Sequence, residues 1–261
     1  MRTNIHIFAL NFLHILPIPR TTDLCSTKKS TGAEVVTKRI ICLANSEKGA
    51  GHCVAGIELL DDLSIGAWIR PIGSGHEGAL THREQAYQNG TSPQLLDILN
   101  VHLLEPRPQG CQTENWQVDP GFWWEKVGEC AAADIDEYAE NPEALFVNAG
   151  HTFKGVNDQI PEEIAALHPR SLHLIRLPAL QVQVTAGFEG NPPEIRAQFI
   201  HGGTLYRLKI TDPVVKNEFL PQGLGQYDLG ACLACISLAL PFQKNDGNLY
   251  RFKVVAGIMR L

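Results

Sequence analysis

The same β-rich plan occurs twice along this chain of 261 residues. Each half opens on an apolar strand candidate, Lys38–Asn45 (KRIICLAN) in the first half and Ser171–Leu177 (SLHLIRL) in the second. Each half then reaches a segment that combines an aromatic residue with arginine, at Ala67–Ile72 (AWIRPI) and Leu205–Pro213 (LYRLKITDP). The repeat therefore predicts two small β-barrels in tandem, and small five-stranded barrels are usually binding modules.

Strand and helix candidates follow one order in both halves. A short helix candidate lies after the third strand candidate, at Thr81–Gln88 in the first half and Asp212–Leu220 in the second, as in a five-stranded Greek-key barrel. The predicted fold class is therefore mainly β with minor α. The predicted strands are Lys38–Ala44, Cys53–Leu60, Leu63–Ile72, Leu95–Leu104 and Gln112–Val118, then Leu172–Thr185, Glu194–Ile200, Gly203–Thr211, Cys232–Leu240 and Leu249–Ile258.

These patterns divide the chain into four predicted parts: a leader (1–37), a first barrel (38–118), a helical or irregular connector packed between the barrels (119–170) and a second barrel (171–261). The leader has an apolar run at Ile5–Ile18, but polar residues interrupt it and no small-residue cleavage site follows, unlike a signal peptide. We expect the leader to be disordered or to arise from an over-extended translation start. A short docking helix is the alternative.

Short blocks of the sequence, taken in order, resemble the dual OB-fold domain family of bacterial proteins. The blocks are KRIICLANS, CVAGIEL, GAWIRPI, LLDIL, QTENW, GVNDQIP, SLHLIRL, YRLKITDP, SLALPF and YRFKVVAGI, and they extend from Lys38 to the C-terminus. The resemblance implies two tandem OB folds. It also implies a nucleic-acid-binding or nucleic-acid-sensing role, often beside defence and conflict systems.

Composition limits the partners and the compartment. The formal net charge is −6, whereas proteins that coat DNA are usually basic, so a nucleic-acid site has to be a local groove. The acidic balance favours the alternative, a scaffold whose barrels bind a partner protein. Seven scattered cysteines indicate reduced thiols and a cytoplasmic location. No apolar run reaches 18 residues, so we expect no membrane partner.

The loop NSEKGAGH joins the first two strand candidates of the first barrel and is one candidate site. Loops in this position border the ligand groove of OB folds. Glycines allow a phosphate to approach the backbone, and the loop supplies donors from Asn45, Ser46, Lys48 and His52. An ordinary hairpin loop has the same composition, and that interpretation stays open.

Trp68 and Arg70 share one face of the third strand candidate because strand side chains alternate. The opposite face is the more apolar one, so this pair is predicted to point outward, toward a groove, as a base-stacking platform beside a phosphate contact. The alternative places Trp68 in the core and Arg70 at the strand end. Asn115, near Trp116, is predicted either to read a base edge or to cap a turn.

In the second barrel, alternation predicts that Tyr206 is buried and that Arg207 and Lys209 share the opposite face. These two basic residues are candidates for phosphate contacts, and a solvated surface is the alternative. Lys154 and Arg170 are included as further site candidates, because they could border the cleft between the barrels.

An enzymatic reading has little support. His82 and Glu84 fit H-x-E, and Cys232 with Cys235 fits C-x-x-C, as in zinc deaminases. The two motifs lie in different halves of the chain, however, and an i, i+3 pair in a strand points to opposite faces. Buried thiols are the simpler interpretation. No catalytic residue, metal or cofactor is predicted, although catalytic activity is left open.

Overall fold

The computed structural model describes residues 35–261, so nearly all of the leader lies outside the described residues. Alternating apolar residues form the first five strands, whose inward side chains bury a core. These strands are β1 (Val36–Lys48), β2 (Gly51–Leu59), β3 (Ile65–Ile72), β4 (Asp97–Pro106) and β5 (Asn115–Val118). They pair in the ring β1-β2-β3-β5-β4-β1, and only the β3–β5 pairing is parallel. This is a closed five-stranded barrel.

A second ring with the same topology forms from the C-terminal half. Between the barrels, β6 (Glu125–Glu129) extends the first sheet beside β4, and β7 (Gln159–Pro161) pairs with the last strand of the chain. The second ring is β8-β9-β10-β13-β11-β8, with β10 and β13 parallel. Its strands are β8 (Leu172–Thr185), β9 (Glu194–His201), β10 (Thr204–Ile210), β11 (Gly225–Leu238) and β13 (Leu249–Arg260), and the short β12 (Phe242–Gln243) pairs with β13. The predicted fold class is confirmed.

The helices after the third strand of each barrel are short, and polar side chains fix where they begin. The first is α1 (His82–Gln85), which starts with a capping box between Thr81 and Glu84. The second is α3 (Pro213–Phe219), which the Asp212 carboxylate caps. A third helix, α2 (Glu162–Ala165), follows β7.

Two parts of the chain refine the predicted elements. Within the connector predicted as helical or irregular, the stretch Ala131–Glu140 forms two 3₁₀ turns, and Ala132 and Ile135 pack against apolar residues of both barrels. The predicted strand at Cys232 begins earlier, at Gly225. Irregular pairing at Asp228 and Gly230 interrupts the alternation of that strand.

Each barrel has an apolar interior, and a third apolar cluster joins the two barrels. Ile40 and Cys42 of β1 face the first interior, whereas Ile41 and Leu43 of the same strand face outward into the shared cluster. The second barrel contributes Leu172, Leu174, Leu233, Cys235, Ala256 and Met259 to this cluster. Each fully buried aliphatic side chain stabilises the contact by about 1.5–3 kcal/mol. The barrels therefore form one packed unit.

The backbones of the two barrels approach closely at one point. A Cβ atom added to Gly257 of β13 would lie 2.2 Å from the carbonyl oxygen of Leu43 in β1. No larger residue fits this position without moving one barrel away from the other. Within residues 35–261, no helix has the length and apolar composition needed to cross a membrane.

Candidate nucleic-acid interface

The outer face of β2 and β3 in the first barrel is covered by the second barrel. Trp68 and Arg70 do point away from the barrel interior, which Ile69 faces instead. They do not form an open stacking platform, however, since the exposed fractions of Trp68 and Arg70 are 8% and 4%. Alternation along a strand reveals which face a residue occupies but not what covers that face.

Arg70 belongs to a buried polar network between the barrels. Its Nη2 lies 3.2 Å from Glu114 Oε1 and donates to Ser237 Oγ of β11, also at 3.2 Å. The same Glu114 oxygen accepts a hydrogen bond from Ser171. Arg70 Nη1 and Glu114 Oε2 are buried and have no hydrogen-bond partner among the described residues. The Arg70–Glu114 pair thus joins the barrels through Ser237 and Ser171. One nitrogen of Arg70 and one oxygen of Glu114 could each still form a hydrogen bond.

The predicted loop residues lie next to the junction of the barrels. Asn45 is buried, its Nδ2 donates to the Pro93 carbonyl at 2.7 Å, and its Oδ1 lies 3.1 Å from His52 Nδ1. Partial burial lowers the pKa of His52, so its ring is neutral at pH 7. Lys48 donates to the Glu77 carbonyl at 2.7 Å, and Ser46 is buried beside it. These side chains therefore already have structural partners or are withdrawn from solvent.

Two other predicted residues also have protein partners. Asn115 is buried, and its Nδ2 lies 3.4 Å from Gln112 Oε1. Arg170 binds the Glu140 carboxylate, which also contacts His173. Arg170 and Trp68 line one groove of about 500 Å³ at the edge of the contact between the barrels. The structure thus places Trp68 and Arg170 together and separates them from Arg207 and Lys209.

The second barrel has a half-buried outer face on which Lys209 is exposed, and we call it the β8–β13 face. Paired strand residues share a side of a sheet. Arg207 of β10 pairs with Gln198 of β9, and Lys209 pairs with Arg196. Across the parallel pairing, Lys209 lies beside Val254 of β13. The β8–β13 face consists of Gln181, Gln183, Arg196, Gln198, Arg207, Lys209, Tyr250, Phe252 and Val254.

Positive charge without a carboxylate partner is concentrated on this face. Most basic side chains that the structure describes have a carboxylate oxygen within 4.0 Å. Five have none among the described residues. These are Arg83, which lies over the Trp123 ring, the buried Lys253, and the three residues Arg207, Lys209 and Lys244. Arg207 instead donates to Gln198 Oε1 at 2.8 and 3.1 Å. Three uncompensated charges therefore lie on or beside one face of an acidic protein.

Aromatic side chains lie at both ends of the β8–β13 face. Lys244, in the loop between β11 and β13, has its Nζ 4.5 Å from the Tyr250 ring centre and 5.7 Å from that of Phe252. At the other end, the Phe153 side chain is 94% exposed. Its neighbour Lys154 donates to the Ala186 carbonyl, in the loop between β8 and β9, at 2.7 Å. The face thus combines basic residues with exposed or partly exposed rings.

Lys154 also lies 3.4 Å from Glu194, and Arg196 contacts both Glu194 and Asp158. Asp158 in turn accepts hydrogen bonds from the backbone and hydroxyl of Thr152. These contacts hold the Thr152–Asp158 segment against β9. The segment carries Phe153 at a fixed position beside the face.

The order of strands in both rings is that of two OB folds, and the comparison with known families gives the same result. The family described as "Dual OB-containing domain" matches residues 38–258. The chain belongs to the dual OB-containing domain family. No curated protein and no solved structure was found to match it. OB-fold domains generally bind nucleic acids or proteins.

Within the described residues of this dual OB-containing chain, the second barrel presents more of the usual ligand-binding surface to solvent than the first. OB folds bind ligands on the face of their second and third strands and on the loops after strands one and four. In the second barrel these are β9, β10, the loop that contacts Lys154 and the loop that carries Lys244. In the first barrel the corresponding strands are β2 and β3, which pack against the second barrel.

Sequence reasoning selected Arg207, Lys209 and Lys154 but missed Phe153 and Lys244 of the dual OB-containing domain. Both missed residues lie in loops, where hydrophobic periodicity gives no signal. A lone phenylalanine between threonine and lysine in a polar loop (HTFKG) is the one sequence clue to Phe153. Lys244 follows the apolar block SLALPF, which ends at a loop tip.

The residues of the zinc reading occupy structural positions. Cys232 faces the interior of the second barrel, whereas Cys235 faces the cluster between the barrels, as expected for an i, i+3 pair in a strand. Burial raises the pKa of each thiol to about 12. Glu84 accepts hydrogen bonds from Thr81 and from the Ser74 backbone. These three side chains point to different surroundings and already fill structural roles.

Proposed function

We propose that the chain is a nucleic-acid-binding module that holds single-stranded or structured DNA or RNA on the β8–β13 face. The observation that carries the proposal is the grouping of Arg207, Lys209 and Lys244 without carboxylate partners in a protein of net charge −6. An acidic protein repels a polyanion at long range, so a site for phosphates requires such a local excess of positive charge.

The polar and aromatic groups of the face suit a strand with unpaired bases. Arg207, Lys209 and Lys244 would contact phosphates. The amides of Gln181 and Gln198 would exchange their present hydrogen bonds, to each other and to Arg207, for contacts to bases or sugars. Phe153, exposed at the end of the face, would stack on a base, because stacking tolerates any base. Binding would then depend on salt and only weakly on sequence.

A partner protein on the same face is the second candidate, and the acidic net charge of the chain favours it. Salt dependence distinguishes the two ligands. Phosphate contacts release counterions, so log affinity falls linearly with log salt, whereas an apolar protein interface responds little. The bacterial defence setting that the family implies is part of the same proposal, since a sensor of foreign nucleic acid requires such a face.

The test is a salt titration of binding to labelled single-stranded DNA and RNA by fluorescence anisotropy. We expect steep salt dependence for the full chain and loss of binding for Lys209→Glu. Arg107→Glu is the matched control, because Arg107 is also exposed but lies in the first barrel beside Glu105. Absence of binding to either polymer at low salt would contradict the proposal and leave the partner-protein alternative.

A further inference from the structure

A cavity of about 310 Å³ lies between the two barrels, beside the β8–β13 face. Its walls are mostly apolar, with Ala55 from the first barrel facing Leu238, Phe252 and Val254 from the second. Small-molecule sites have this composition and a volume of about 300–1,000 Å³, with a few fixed polar groups that orient the ligand.

Arg70 supplies the buried charged group of this cavity, whose lining also includes Glu47, Lys48 and Glu77. Its side chain is 5% exposed and is held by Glu114 and by Ser237, which also lines the cavity. Nη1 has no hydrogen-bond partner among the described residues. A buried donor without an acceptor is destabilising, and more so when it is charged. Arg70 lines the cavity, so a ligand acceptor there that Nη1 reaches by a shift of the side chain would remove this destabilisation.

The charges around the cavity and its apolar walls together determine which class of ligand fits. Glu114 neutralises the Arg70 guanidinium, and Lys48 at the cavity wall already donates to the Glu77 carbonyl. A free phosphate would therefore bring an uncompensated charge into apolar surroundings, which is costly. A flat, neutral ring that carries a carbonyl oxygen meets both requirements, since its faces are apolar and its oxygen accepts one hydrogen bond.

The cavity also borders the surface proposed to hold a strand. Val254 lines the cavity and is the register partner of Lys209. Phe252 lines it too and lies under Lys244. The cavity and the surface around Lys209 and Lys244 are thus separated by a single layer of side chains. A base turned out of a strand bound at these two lysines would cross that layer to enter the cavity.

We infer that this cavity binds a nucleobase that carries an exocyclic carbonyl, with Arg70 Nη1 donating to the carbonyl oxygen. The source of the base is either a strand on the β8–β13 face, in which case the inference rests on the proposed function, or a free nucleoside. Single-stranded nucleic acids are commonly recognised through bases splayed from the stack in this way.

Inosine and adenosine are matched probes, because inosine has a carbonyl at the ring position where adenosine has an amino group. We would measure both nucleosides by calorimetry, and inosine and adenosine oligonucleotides of about 12 nucleotides by anisotropy. The proteins are the full chain, Arg70→Lys, which keeps the charge beside Glu114, and Ala55→Leu, which fills the cavity and keeps the arginine. Thermal melts establish that each variant folds. If Arg70→Lys does not fold, Ala55→Leu alone provides the test.

We expect inosine to bind about tenfold more tightly than adenosine, as one hydrogen bond from a charged donor implies, with the preference lost in both variants. The same preference in oligonucleotides alone would assign the base to a bound strand. Equal binding of inosine and adenosine, as nucleosides and within oligonucleotides, would overturn the inference yet leave the strand site intact. Inosine binding without any oligonucleotide binding would support the cavity and overturn the proposed function. No binding of either kind would overturn both.

Discussion

Arg70 and Glu114 of the first barrel form an ion pair at the contact with the second barrel, with Nη2 and Oε1 3.2 Å apart and side chains that are 5% and 2% exposed. Removing one member of a buried pair leaves the other charge without compensation, and this costs about 3–5 kcal/mol. We therefore expect Glu114→Ala to lower the free energy of unfolding by that amount in urea denaturation.

The exposed pair between Arg107 and Glu105 provides the control for this measurement. Glu105→Ala should change the free energy of unfolding by less than about 1 kcal/mol, since water screens surface pairs. An effect of Glu114→Ala no larger than that of Glu105→Ala would contradict the structural role of the buried pair.

The salt dependence of binding should report each basic residue of the β8–β13 face separately. Arg207→Gln, Lys209→Gln and Lys244→Gln each remove one proposed phosphate contact. Each should reduce the slope of log affinity against log salt by about 0.7–0.9. Arg107→Gln should leave the slope unchanged. A slope that stays constant in all three variants would place the nucleic acid elsewhere.

Phe153 should contribute to affinity without contributing to stability, because its side chain is 94% exposed. Phe153→Ala is expected to weaken single-strand binding by about 1–3 kcal/mol, the range for stacking of one base on an aromatic ring. Phe153→Trp should restore it. Leu167→Ala, at another exposed apolar residue, is the control and should have no effect. Equal affinities of the Phe153 and Leu167 variants would exclude stacking.

The lowered pKa of the buried Lys253 side chain should make the stability of the protein depend on pH. Burial lowers the pKa of Lys253 from its usual 10.5 to about 7, and its Nζ donates to the Val147 carbonyl at 2.8 Å. Between about pH 7 and 10.5 the unfolded chain binds a proton that the folded chain does not, so stability rises with pH in that window. The slope for one proton is about 1.4 kcal/mol per pH unit.

Urea denaturation between pH 7 and 8.5 tests this, because buried thiols such as Cys232, whose pKa is raised, oppose the trend at higher pH. The difference between the wild type and Lys253→Met isolates the lysine. We expect the rise with pH to be smaller in the variant. Parallel stability curves for the two proteins would show that Lys253 is charged in the folded state.

Most of the fold could be predicted from local patterns. Tyr206, Leu208 and Ile210 alternate with Arg207 and Lys209, and the structure buries the first three as predicted. The strand Leu172–Thr185 has the predicted bounds. The position of each short helix after the third strand also follows from its capping residue, Thr81 or Asp212.

The candidate site was harder to predict, because it depends on how the barrels pack. Trp68 lies on the outer side of its strand, and that side is buried in an apolar cluster with Leu174 and Leu233. Nothing local to Trp68 distinguishes a ligand-stacking face from a barrel-packing face. Phe153 shows the converse, since its neighbours in sequence do not reveal that its loop is held against β9 by Asp158.

The unequal exposure of the two barrels has a consequence for how long a ligand the chain can use. Two equivalent, linked sites gain avidity, since the second binds at high effective concentration. Here the usual ligand face of the first barrel packs against Leu174, Leu233 and Met259 of the second barrel. Affinity should therefore stop rising once an oligonucleotide fills the footprint of one OB fold, about 4–16 nucleotides, with one strand bound per chain.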